Sequence, residues 1–360
     1  MNCHGQWKAI VMLVAVNFGF ATVNIFLKKI LNRGMNHLVI VAYRQAAAVI
    51  FLTPIAYFWE RKNRPKLTVQ ILCQLFFSAL IGVTLAQYFL LRGLDYTSAT
   101  FLSGFLNMVP VITFLLALPF GFERANMKSL AGRAKVLGTV ICVGGAVLLT
   151  FYKGKALTHE EGATSRANTM NSSKKTESWT IGSIFLIAGV TAWSSWFLIQ
   201  AKIGKRYPCQ YTSTAILSFF GGIQSAILSL IIERKLSGWV LNEKWEFITV
   251  IYAGMVGSGL CYSATSWCVK QKGPVFSSAF SPLTQLLVAI FDFSLLHERI
   301  YLGSVIGSIL VILGMYILLW GKSKEAEQCE KVTQAPVVQQ DEHSNALPHV
   351  IPITFNSTSS

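Results

Sequence analysis

Ten apolar runs, each close to the length of a bilayer crossing, alternate with short polar stretches along this 360-residue chain. They span 9–27, 38–58, 70–91, 98–120, 136–152, 180–200, 212–232, 247–268, 274–296 and 301–320. A membrane-crossing helix needs about 20 mostly apolar residues. Inside lipid every backbone N–H and C=O must find a partner within the protein, so such runs fold as helices rather than as open strands. An all-α polytopic membrane protein is the expected fold class. Composition agrees: 13% of residues are charged, against about 25% in soluble domains. Lys8 precedes the first run, as it would in a signal peptide. That run is too long for one, ends at Lys28-Lys29 and lacks a small-residue cleavage site, so it reads as a retained helix.

The polar stretches set the organisation. Residues 1–8 form an N-terminal segment, 9–152 a first group of five helices, 153–179 a polar connector, 180–320 a second group of five, and 321–360 a polar tail. Connector and tail lack helical periodicity and carry the composition of disordered chain. Trp7, Trp59, Trp179, Trp239, Trp245 and Trp320 fall at run ends, where indole rings favour the headgroup layer. Trp193, Trp196 and Trp267 lie inside runs and need another role.

The net charge of +15 suggests nucleic acid at first sight. The Lys and Arg residues, however, sit between apolar runs, where they set orientation and meet anionic lipid. They are more numerous on the side of the N-terminus, which puts both termini in the cytoplasm. The sequon Asn171-Ser172-Ser173 in the connector, a candidate glycosylation site, would then face outward. The seven cysteines are scattered without CxxC spacing; they read as small core residues, with no metal site expected.

The two groups of five carry matching landmarks. Gly82 and Gly257 sit mid-run in the third and eighth segments. Glu123-Arg124 follows the fourth, and Glu298-Arg299 follows the ninth. Leu137-Gly138-Thr139-Val140-Ile141 is matched by Leu302-Gly303-Ser304-Val305-Ile306. Because five is odd, the second group must start from the opposite membrane face. The halves are therefore expected to be inverted repeats, an arrangement that in secondary transporters surrounds a central site exposed alternately to each side.

Several stretches carry a family resemblance across residues 7–322. They are Tyr43-Arg44; Glu60-Arg61-Lys62-Asn63-Arg64-Pro65-Lys66-Leu67-Thr68; Thr97-Ser98-Ala99-Thr100-Phe101; Gly273-Pro274-Val275-Phe276, leading into Ser278-Ala279-Phe280-Ser281-Pro282-Leu283; and the stretch Glu298 to Gly307. In these the chain resembles the plant nodulin-21-type transporters, also called "walls are thin"-related or "usually multiple amino acids move in and out" proteins. They belong to the drug/metabolite transporter superfamily and carry two EamA-type five-helix repeats. The resemblance implies ten helices around a central cavity and movement of amino acids, auxin or related small metabolites without ATP. It also implies a plasma-membrane or vacuolar location, of which the plasma membrane is the expectation here. No GxxxxGK[ST] phosphate loop occurs, and no cofactor is expected.

Polar side chains inside the runs are the site candidates, since lipid tolerates them only beside a partner or a wet cavity. Asn17 and Asn24 share a face of the first helix. Gln87 and Tyr88 lie in the third; Ser103, Asn107 and Pro110 in the fourth; Trp193, Trp196 and Gln200 in the sixth. Ser258, Tyr262 and Thr265 lie in the eighth, and Ser278, Ser281, Gln285 and Asp292 in the ninth. Asn17, Gln87, Tyr88, Asn107, Trp193, Trp196, Tyr262, Ser281 and Gln285 are the solute-pathway candidates. Their amides, hydroxyls and rings suit an amino-acid-like solute. The competing reading is hydrogen bonding between helices. Pro110 and Pro282 predict kinks or broken helices. Arg44, Asp292, Glu123 and Glu298 are candidate coupling or gating charges. Arg44 is expected to pair with a buried acid, Asp292 to lie near the headgroups, and the two glutamates to form structural pairs at helix ends. Gly303, Gly307 and Gly314 predict close helix packing, within the fold or between two protomers.

An enzyme is not indicated: none of the six histidines lies in HExxH, and no GxSxG is present. The alternative to a solute carrier is a receptor or scaffold signalling through the tail.

Overall fold

The computed structural model describes residues 3–31, 37–97, 99–123, 129–151, 172–232, 239, 243–296 and 302–334, and all regular structure among them is helical. The helices are α1 (Cys3–Leu31), α2 (His37–Glu60), α3 (Val69–Ala79), α4 (Ala86–Tyr96), α5 (Ala99–Leu106), α6 (Val109–Ala117), α7 (Leu130–Phe151), α8 (Ser172–Arg206), α9 (Gln210–Ile232), α10 (Lys244–Tyr252), α11 (Tyr262–Lys272), α12 (Pro274–Ser278), α13 (Ser281–Leu296) and α14 (Leu302–Gln334). Seven stretches among the described residues are long and apolar enough to cross a membrane: Trp7–Lys28, His37–Glu60, Val69–Tyr96, Thr180–Arg206, Gln210–Ile232, Lys244–Lys272 and Pro274–Phe291. The shorter stretch Phe101–Ala117 is also apolar. The remaining apolar runs of the sequence lie on α7 and α14.

Two of these stretches are not plain α-helix. Between α3 and α4 the chain widens into π-helix at Leu80–Leu85, and between α10 and α11 at Ala253–Cys261. Each π stretch contains one of the paired glycines, Gly82 and Gly257. Two other stretches are interrupted. After α5 the Met108 amide bonds back to the Phe105 carbonyl (2.9 Å), and after α12 the Phe280 amide bonds to Ser277 (3.4 Å). Both are tight i→i−3 turns. The helix then restarts with Pro110 and Pro282 as the second residues of α6 and α13. The expected kinks are therefore breaks. A proline supplies no N–H for the carbonyl four residues back, but in the first turn of a new helix none is needed.

Long-range packing joins the two halves. α7 lies along α14, α2 along α9, α4 along α8, and α1 along α13. The α7–α14 contact is the most extensive. A Cβ on Gly138 would stand 2.7 Å from the Gly314 carbonyl oxygen, and one on Gly314 would stand 2.7 Å from Cys142 Cα. The glycine face of α14 is thus used within the fold at Gly314.

Helix α14 runs on to Gln334, and α8 begins at Ser172. Residues 321–334 and 172–179, expected as disordered polar chain, are helical. Propagating an anchored helix adds one hydrogen bond per residue fixed, and the α14 extension has a tertiary anchor. Glu123, at the end of the first half's fourth segment, accepts Lys135 of α7 (3.1 Å) and also Lys322 of α14; Lys135 reaches Glu325 (2.7 Å). Burial opposes the charge of Lys135, yet its hydrogen bond to Glu325 and the charge of Glu123 prevail and raise its pKa. Elsewhere Glu60 at the end of α2 caps α9, accepting the amides of Tyr211 (2.9 Å) and Thr212 (2.8 Å) and the Thr212 hydroxyl (2.6 Å).

Candidate functional site

A cavity of about 280 Å³ lies between α1, α2, α4, α5, α6, α8, α11, α12 and α13. Its aromatic wall is built on α8, where Trp193 and Trp196 are one turn apart and stack at 5.3 Å with an 18° interplanar angle. Tyr262, the first residue after the second π stretch, packs on both indoles at 5.9 and 5.4 Å. Phe20 of α1 meets Tyr262 at 5.9 Å.

The polar groups come from other helices: Asn17 and Asn24 of α1, Arg44 of α2, Gln87 of α4, Thr265 of α11, and Ser281, Thr284 and Gln285 of α13. Asn17 spans two roles. Its Nδ2 donates to the Leu13 carbonyl (2.6 Å), and its Oδ1 accepts the Thr284 hydroxyl (2.5 Å), tying α1 to α13 at the cavity edge. Two donors are left over. Arg44 Nε and the indole N–H of Trp196 are buried without a hydrogen-bond partner. Among the described residues the expected acid for Arg44 is missing, no Asp or Glu lines the cavity, and Arg44 is the single charged lining residue.

The pathway candidates therefore divide. Asn17, Gln87, Trp193, Trp196, Tyr262, Ser281 and Gln285 converge on the cavity, as does Arg44. Tyr88 does not. A step of one residue turns about 100° around a helix, and Tyr88 instead receives the Arg92 guanidinium over its ring at 5.8 Å. Asn107 is buried at the α5–α6 break, its amide unpartnered, but outside the lining. Gln200 points away, donating to Ser78 (3.3 Å). Pro110 and Pro282 shape the breaks without lining the cavity. Glu123 belongs to the charge network with α7 and α14. Asn171 and Glu298 lie outside the described residues; Asp292 is on α13, but its side chain lies outside them. Thr284 and Ser277 line the cavity and were not singled out by the sequence. A helical wheel drawn from Ser281 and Gln285 includes Thr284 as a neighbour and would have found it. Ser277 sits across the α12–α13 break, where a wheel loses phase.

This architecture has known counterparts. The EamA-like transporter family matches residues 7–151 and 180–320. The chain belongs to that family. Three WAT1-related proteins of Arabidopsis thaliana are 56%, 50% and 49% identical to it, over 89%, 91% and 92% of this chain and 88%, 91% and 91% of theirs. One solved crystal structure shares the fold with a TM-score of 0.65 at 14% identity, covering 87% of this chain and 98% of that one. The protein is thus a multi-pass membrane protein of a plant EamA-type transporter family.

Proposed function

We propose that the protein is a secondary carrier of small carboxylate-bearing organic solutes, amino acids or auxin-like metabolites, working by alternating access. The observation that carries this is Arg44, whose Nε has no hydrogen-bond partner and beside which no acid lines the cavity among the described residues. A cation left without a partner inside a membrane protein is costly, and a solute carboxylate would offer it the acceptor the fold withholds. The stacked indoles give an apolar solute portion a flat wall, and the spare Trp196 N–H gives it one more donor. The amides of Gln87 and Gln285 can accept an ammonium group where the solute has one.

In this reading ten helices cross the membrane as two inverted five-helix halves, with both termini cytoplasmic, the natural setting being the plasma membrane. The paired breaks before Pro110 and Pro282 and the paired π stretches are the places where the spans can bend between two states. Proteoliposomes containing the full chain are expected to accumulate labelled carboxylate solutes with and without a proton gradient, the gradient deciding whether uptake is coupled. Uptake of neutral and cationic solutes but of no carboxylate across a broad panel would sink the proposal. Removing residues 335–360 should leave transport intact, whereas loss of all activity would favour signalling through the tail.

A further inference from the structure

We propose that Gly82 and Gly254 are the positioning residues of this site, one fixing the place of Trp196 and the other that of Arg44, so that the two π stretches set which rings and charges the cavity accepts. This rests on reading the cavity as the solute site. The distances are decisive. A Cβ on Gly82 would lie 2.5 Å from Trp196 Cγ and 2.7 Å from Trp196 Cβ. Turning the indole about its own bonds can swing Cγ away but leaves Cβ in place, so the 2.7 Å contact persists in every rotamer. The ring must move bodily toward Trp193 and Tyr262, whose rings stand 5.3 and 5.4 Å away, or α8 must retreat from the π stretch. Either movement changes the aromatic wall.

Gly254 does the same to the cation. Its Cβ would lie 2.5 Å from Ala47 Cβ and 2.6 Å from the Arg44 carbonyl oxygen, with the Ala48 nitrogen at 3.3 Å. Two of these three contacts are backbone atoms, so the stretch of α2 that carries Arg44 would have to shift as a unit. Gly257, the sequence partner of Gly82, supplies the contrast. A Cβ there would meet Val23 at 3.4 Å, an ordinary contact. The repeat places a glycine in both π stretches, but the crowded approach in the second is at Gly254. Repetition alone thus does not explain these glycines; the side chains seated against them do. The wide π turn brings its backbone close to a neighbouring helix, and π-bulges recur at functional sites for that reason.

The experiment uses the full-length protein and three alanine variants, G82A, G254A and G257A, with W196A and G82A/W196A completing a double-mutant cycle. Acrylamide quenching of Trp196, read as the difference between each protein and its W196A counterpart, reports the indole's position without any need for transport. G82A should change it clearly and G257A should not. In proteoliposomes, one-ring and two-ring aromatic carboxylates report the shape of the wall. Since misplacement by about 1 Å can cost up to a hundredfold, G82A should shift the ratio of their Vmax/KM values toward the one-ring solute by roughly tenfold. In the W196A background, which lacks the Cγ and ring atoms that crowd the added methyl, G82A should shift that ratio far less. G254A should lower the preference for a carboxylate over its neutral amide by a similar factor at unchanged ring selectivity. An unshifted ring ratio in G82A, or an equal shift in the wild-type and W196A backgrounds, overturns the inference while transport by the wild type stands. Wild-type vesicles that carry none of the panel sink the functional reading instead, and quenching then decides the positioning by itself. Should G82A not fold, a folded G82A/W196A supports the clash with Trp196, and failure of both overturns it.

Discussion

The α7–α14 layer and the cavity wall are built from the same kinds of residue and treat them in opposite ways. In the layer two long helices run side by side without interruption, glycine against glycine, and the buried charges at its end are all matched: Lys135 has Glu123 and Glu325, and Glu123 also has Lys322. Around the cavity the spans of α4–α6 and α11–α13 are broken or π-wound, and Arg44 Nε and Trp196 Nε1 remain without partners. A matched buried charge adds rigidity; an unmatched one stores a demand that a ligand can meet. The difference separates the framework from the site, and substitutions in the two regions should fail differently.

The largest effect is expected in the layer. Glu123→Gln leaves Lys135 and Lys322 facing each other with no carboxylate between them. Removing one partner of a buried ion pair destabilises by about 3–5 kcal/mol; with Glu325 still beside Lys135, the low end, about 3 kcal/mol, is expected here. The melting temperature of the detergent-solubilised protein should fall, while the KM of the folded fraction stays as in the wild type. A changed KM at unchanged stability would place Glu123 in the solute pathway and erase the contrast. Next comes the cavity. Arg44→Gln removes a charge-assisted contact worth about 1.5–3 kcal/mol. The KM for carboxylate solutes should rise at least tenfold, with the melting temperature unmoved. Arg44→Lys should restore the charge but not the forked geometry, and so recover only part of the affinity. Equal losses of uptake for carboxylates and their amides in Arg44→Gln would show that the residue holds structure rather than solute.

Much of this division could be read in the sequence, and the rest has physical reasons for being hidden. Hydropathy located the spans, because lipid imposes length and apolarity on every crossing. Periodicity brought Asn17, Gln87, Trp193, Trp196, Tyr262, Ser281 and Gln285 to a common cavity, because one helix face repeats every three to four residues. It failed for Tyr88, which follows Gln87 directly and so points elsewhere, and for Asn107, buried at a break. It also gave Arg44 a buried acid that is not found among the described residues. The breaks and π stretches are invisible to a fixed 3.6-residue period. The link from Glu123 to Lys322 and Glu325 joins the first half to a stretch that reads as unstructured tail, since tertiary ion pairs leave no local signature.

The smallest effect is the most informative about motion. Pro110 and Pro282 each occupy the second position of a restarted helix, where a missing N–H breaks no intrahelical bond. If the breaks are held by the i→i−3 turns before them and by packing, Pro110→Ala and Pro282→Ala should change stability by no more than about 1 kcal/mol and leave Vmax within about twofold, a factor worth less than 0.5 kcal/mol. If the prolines themselves keep the helices apart, alanine at either position would let α5 join α6, or α12 join α13, as a continuous helix. Vmax would then drop steeply at unchanged KM, because the stiffened span could still bind solute on one side but no longer switch. Each half has one such proline, so if the two halves bend in turn the two substitutions should respond alike. A steep loss at one proline and none at the other would mean that only one broken helix moves, and that the second half serves, like the α7–α14 layer, as framework.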